Sequence, residues 1–105
     1  MFVSIKGGPY ANFQRALKGG NLTVIRAAAT ELPAINLVDA LHVCVLMADQ
    51  QPELFERAAL RWLARYALER RDASLAGLRA AADAFARLDT DRKASLATLH
   101  GLSRL

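Results

Sequence analysis

The chain has a single cysteine, Cys44, among 105 residues. One thiol closes no intrachain disulfide, so a secreted scaffold stapled by cross-links is excluded and a reducing compartment fits best. β-Branched residues are few, which gives a sheet little material. The three prolines, Pro9, Pro33 and Pro52, act as punctuation between long uninterrupted stretches. No run approaches the roughly 18 consecutive apolar residues of a membrane span. Met1 to Gly8 carries one lysine and only a few apolar residues before Gly7-Gly8-Pro9, short of a signal-peptide core. A soluble, cytoplasmic chain with no membrane attachment is expected. Also missing are a phosphate loop followed by Lys-Ser or Lys-Thr, a zinc-ligand spacing, and a nucleophile with a base in reach. No catalytic, cofactor or metal residue is assigned from the sequence.

What is present is rich in Leu and Ala. Hydrophobic residues make up 53% of the chain, and this composition favours helices. The length suits one core and is short for two. Residues 1–8 show no helical period and read as a flexible leader, and 9–105 as a single helical domain. The net charge of +4 permits an acidic protein, a nucleic acid or an anionic surface as partner without requiring one. Eleven of the fourteen basic residues are Arg. That bias suits phosphate or carboxylate recognition and also follows from GC-rich coding. Ten acidic residues are interspersed with them, so part of the positive charge is expected in local pairs.

Hydrophobic spacing and end signals predict six helices, over 9–18, 22–32, 37–48, 52–71, 75–88 and 91–102. Pro9 and Pro52 sit where a missing N–H costs nothing. Gly19 supplies a left-handed stop after Lys18, and Pro33 closes the second helix. Asn21, Asn36, Asp72 and Ser74 are candidate caps, with Asp89 to Asp91 opening the sixth helix. The third helix is apolar nearly all round, interrupted only by Asp39 and His42, and is expected at the buried centre or in a shared interface. The sixth, containing Gly101 and Ser103, is expected to fray. The helix starts keep no constant period, which argues against tandem repeats. The expected class is all-α, a compact orthogonal bundle of about five to six short helices, with a short α-solenoid-like array as the alternative. The turn Ala16 to Leu22, of the form Ala-Leu-x-x-Gly-Asn-Leu, resembles α-solenoid repeats. The whole arrangement resembles small uncharacterised all-helical proteins of high-GC bacteria, a resemblance that implies no activity.

The fourth helix is the most informative segment. At about 100° per residue, Phe55, Trp62 and Tyr66 fall in one narrow sector, while Arg57, Arg61 and Arg65 climb another side at spacing four. The aromatic sector reads as core. The arginine stripe reads as a solvated face bounded by Glu53 and Glu69, or as a contact face for phosphates or carboxylates. Arg15, Lys18 and Arg26 form a second basic cluster in the first two helices, and adjacency of the two clusters would strengthen a nucleic-acid reading.

Other constellations are weaker. His42 and Cys44, two apart on a helix, point about 200° apart and form no dyad, and His100 is expected far off in the tail. Asp39 and His42 share a side but supply only two of the three or four ligands zinc needs. Asp39, His42, Tyr66 and Asp83 are the side chains to check for a small enzyme pocket. The turn at Gly19-Gly20-Asn21 could present an anion to a helix N-terminus, although chain termination explains both glycines. The third helix lacks the polar side chains that read base edges, so it is not a recognition helix. The expected function is a non-enzymatic protein–protein interaction module, with a protein partner or homodimer. The alternative is a nucleic-acid-associated protein that grips the phosphate backbone through a basic helix face.

Overall fold

A computed structural model describes residues 8–104. The expected leader over 1–8 lies outside these residues, apart from Gly8. The chain is all-α, with helices α1 (Pro9–Gly19), α2 (Leu22–Ala29), α3 (Leu37–Gln50), α4 (Pro52–Glu69), α5 (Leu75–Ala86) and α6 (Arg92–Arg104), and no strand among the described residues. None of these helices is long and apolar enough to cross a membrane. By their contacts the residues group into two compact units, Met1–Asn36 and Leu37–Leu105.

In the first unit α1 and α2 pack as a hairpin, burying Phe13, Ala16, Leu17, Leu22 and Ile25. Its turn is built by two residues. Gly20 adopts φ +78°, and its N–H reaches the carbonyls of Ala16 and Leu17, so the left-handed stop falls one residue beyond the expected Gly19. Asn21 then accepts the N–H groups of Thr23 (2.9 Å) and Val24 (3.3 Å). The cap occupies donors that an anion would need, which removes the case for an anion site at this turn. α2 ends at Ala29, three residues early, because Glu31 and Leu32 close tighter i→i+3 turns and the Thr30 hydroxyl donates to the Ala27 carbonyl (2.7 Å) ahead of Pro33.

The second unit is a closed ring of four helices in which α3 packs on α4, α4 on α5, α5 on α6, and α6 back on α3. Gln51 alone separates α3 from α4, because Pro52 has no N–H to continue the helix. The core is centred on the aromatic sector of α4. Trp62 and Tyr66 stack with centroids 5.9 Å apart, and Phe85 of α5 meets Trp62 edge-on at 5.5 Å and Phe55 at 5.9 Å. α3 contributes the i, i+4, i+7 stripe Leu37, Leu41 and Cys44. The expectation that α3 forms the buried centre is corrected: Val43, Leu46 and Met47 are half-buried and His42 is exposed, because only one stripe of α3 faces the aromatic core.

Two further corrections concern helix ends. α4 stops at Glu69, since Arg70 turns to an extended conformation (φ −89°, ψ 121°) and its guanidinium is held by Asp72 at 3.1 Å. α6 runs on to Arg104 instead of fraying at Gly101, with Ser103 buried and its hydroxyl donating to the His100 carbonyl (3.2 Å). Its start is tied to the end of α3 by Arg92, which donates to both carboxylate oxygens of Asp49 (2.6 and 3.2 Å).

Gly77 explains itself in this setting. Ser74 accepts its N–H (3.0 Å) to cap α5, and a Cβ at this position would collide with the Tyr66 hydroxyl. Gly77→Ala is therefore expected to lose about 1–3 kcal/mol through overpacking, measured by urea denaturation, despite alanine's better helix propensity. The loss should shrink in a Tyr66→Phe background. An equal loss in both backgrounds would show that the hydroxyl is not the obstacle.

Candidate functional site

α4 turns its aromatic sector inward, so the helix period dictates what it turns outward. Arg57 and Arg61 are exposed and Arg65 is half-buried, as the surface reading of the stripe expects. Running beside this stripe, three residues further along at each step, is a second row at spacing four, Leu60, Ala64 and Leu68. Leu60 is 59% exposed and Leu68 86%. Six large apolar side chains are exposed among the described residues, and three of them, Leu54, Leu60 and Leu68, are on α4. The arginine stripe was expected from the sequence and this row was not. The signal was nonetheless present, as two leucines lying opposite the Trp62 sector.

The charges on this face are unevenly matched. Arg65 donates from Nε and one terminal nitrogen to both oxygens of Glu69 (2.7 and 3.1 Å), and the hydrogen bonds hold the Glu69 carboxyl below its usual range. An exposed pair of this kind contributes only about 0.3–0.5 kcal/mol. Glu53, the other expected partner, is exposed and makes no ion pair, and neither do Arg57 and Arg61, among the described residues. The face thus carries two guanidinium groups and, at its N-terminal end, the carboxylates of Glu53 and Glu56, none of them ion-paired among the described residues, next to an apolar row.

The second basic cluster lies in the other unit. Arg15, Lys18 and Arg26 are all exposed on α1 and α2, and Arg15 hydrogen-bonds the side chain of Asn12. Arg15 also borders an open hollow of about 690 Å³ between α1 and α2, with Asn12, Val24, Ala27 and Glu31.

The remaining candidates separate. Cys44 is buried with its thiol 3.5 Å from the Ala58 carbonyl, and burial pushes its pKa up to about 11, against a weaker opposing pull from Arg65. It is an inert core thiol. Tyr66 is enclosed in the aromatic core, and Asp83 is an exposed partner of Arg87 at 3.0 Å. No three of His, Cys, Asp and Glu gather around one point among the described residues.

The two histidines do come together, which corrects their expected separation. His42 of α3 and His100 of α6 line a hollow of about 290 Å³ with Leu41, Val45 and Leu96. Sequence could not pair residues 58 positions apart without the α3–α6 contact. Burial, with smaller contributions from Arg104 and His42, holds the His100 ring below the usual histidine range. Its Nδ1 is buried with no partner among the described residues.

Comparison of the chain with protein-family models, with curated proteins and with solved structures gives no match.

The sign of the His100 effect on stability follows from linkage. Its native pKa is lowered from 6.5, so on acidification the unfolded chain takes the proton first. Stability is full above pH 6.5, falls as pH drops from there to the lower native value, and levels off below it. Thermal unfolding followed from pH 8 to 5 should show this loss, and His100→Gln should flatten it. An unchanged profile in the variant would assign the loss to other groups. Cys44 should react with a thiol reagent only at the rate of unfolding. Fast modification of the native protein would contradict its burial.

Proposed function

We propose that this protein is a small helical protein-binding module, acting by contact rather than by catalysis, with the outer face of α4 as its contact surface. One observation carries the reading: an exposed apolar row, Leu60, Ala64 and Leu68, runs alongside two arginines, Arg57 and Arg61, that form no ion pair among the described residues. Each leucine offers a partner up to roughly 1.5–3 kcal/mol on burial, and arginine is enriched among the residues that dominate interface energetics. The leucine-spaced face of α6 is engaged at home, with Leu99 buried and Leu96 and Leu102 packed against the core.

The second reading is a phosphate-backbone contact through the stripe. It is favoured by the exposure of Arg57 and Arg61 and by the chain's net positive charge. Against it, Arg65 is already matched by Glu69, the exposed Glu53 and Glu56 stand at the N-terminal end of the same face, and a phosphate contact leaves Leu60 and Leu68 without a role.

A photoreactive benzoylphenylalanine at Ala64, introduced in the cells that make the protein, distinguishes the two. The expected product is an adduct that protease destroys and nuclease does not, and that Leu60→Gln/Leu68→Gln abolishes. A nuclease-sensitive adduct, accompanied by salt-steep binding of labelled duplex that is lost in Arg57→Ala/Arg61→Ala/Arg65→Ala, would instead establish the phosphate reading. No adduct at this position would remove α4 as a contact face.

A further inference from the structure

The seam between α3 and α6 holds a ring with no place for a second proton. His100 is half-buried, and its Nδ1 is closed off from water with no hydrogen-bond partner among the described residues. An imidazolium carries an N–H on both nitrogens, and the one on Nδ1 is then a buried donor without an acceptor. The charged ring is at odds with the closed helix. We infer that this seam is an acid-sensitive latch: at mildly acid pH the C-terminal half of α6 lifts from α3 while the start of the helix stays pinned.

The charged neighbours of the ring act in the same direction as its burial. His42 of α3 lines the same hollow from across the seam, and Arg104 stands one turn further along α6. α5, the other helix packed on α6, lends no residue to the hollow, and its Asp83 and Arg87 are paired with each other. The carboxylates on the His42 side of α3 are Asp39 and Asp49. Asp49 is held by Arg92, two turns before His100, in a pair that contains no histidine. That pair pins the start of α6. Contacts of Arg92 with Asp49 and of His100 with the His42 hollow make the two helices antiparallel, so Asp39 lies toward the Arg104 end. Gly101 directly follows His100, its missing Cβ would meet nothing within 4 Å, and it lowers the cost of bending there. Burial first, then Arg104 and His42, hold the closed ring below its ordinary 6.5. Lifting α6 returns the ring to water, so the open form takes the proton first and acidification below about pH 6.5 favours opening.

The test is amide hydrogen exchange on the full chain from pH 8 to pH 5, expressed as protection factors so that the intrinsic pH dependence of exchange is removed. A latch opens more readily than the unit unfolds, so residues 97–104 should be protected about tenfold or more below α4 at every pH. Their protection should fall a further threefold or more, roughly, on acidification, at about tenfold for each unit by which the closed ring resists its proton. His100→Gln should abolish that fall. His42→Gln and Arg104→Gln, both at exposed positions, should reduce it, since each takes a positive neighbour from the ring, and circular dichroism at pH 8 checks that all three variants fold. Equal protection in 97–104 and α4 shows that α6 leaves only with the whole unit and overturns the latch. Low protection in 97–104 that ignores pH shows an end that opens without releasing His100, and overturns it as well. A fall that survives in His100→Gln, or that disappears in Asp39→Asn while His42→Gln and Arg104→Gln leave it unchanged, assigns the trigger to another group and does the same.

Discussion

Trp62 carries a constraint that the second unit is arranged around. A buried indole brings a large apolar ring and one N–H that must find an acceptor. Here the N–H donates to the carbonyl of Leu37, in the first turn of α3, at 2.9 Å. The bond fixes where α4 lies along α3 at one end, and the single-residue connection at Gln51 fixes it at the other. With α3 and α4 set, the faces of the same ring place their neighbours: Tyr66 stacks along α4 itself, and Phe85 brings α5 in edge-on. Removal of this ring would leave an orphaned gap at the meeting point of three helices.

Tight packing around that ring explains details that look like blemishes in the sequence. A glycine inside a helix ordinarily costs stability, yet at Gly77 it is the residue that lets α5 close over the Tyr66 hydroxyl. Cys44 sits near the Ala58 backbone where α3 and α4 touch, and its reactivity is suppressed by the burial that gives it a structural use. The ring of helices is completed at its far side by Arg92 and Asp49, a bidentate pair joining residues 43 positions apart. The core thereby determines the surface. Because α4 must present Phe55, Trp62 and Tyr66 inward, the helix period leaves Arg57, Leu60, Arg61, Ala64 and Leu68 facing out. The outer face of α4 is a geometric consequence of the core stripe as well as a set of residues in its own right.

Histidine and carboxylate side chains elsewhere in the chain are dispersed or paired, and the His42–His100 hollow is lined mostly by aliphatic groups. On α4, by contrast, Arg57 and Arg61 form no ion pair among the described residues and stand next to the exposed Leu60 and Leu68.

Local chemistry was legible directly. The proline and glycine stops, the caps at Asn21 and Ser74, the aromatic sector of α4 and the outward arginines each depend on residues within a few positions, and helical periodicity alone places them. Such signals erred by one to three residues, as at Gly20 and at the end of α2, or where a distant partner intervened, as at Ser103, which packing holds in helix. The pairing of His42 with His100, the reach of Arg92 to Asp49, the closeness of Gly77 to Tyr66 and the partial exposure of α3 required the fold. Each joins residues on different helices, and the spacing along a chain carries no information about which helix lies beside which. The sequence determined what each helix could bury, and the tertiary structure decided which of the remaining surfaces stayed in water, since a face is left exposed only after every competing face has found its place in the core.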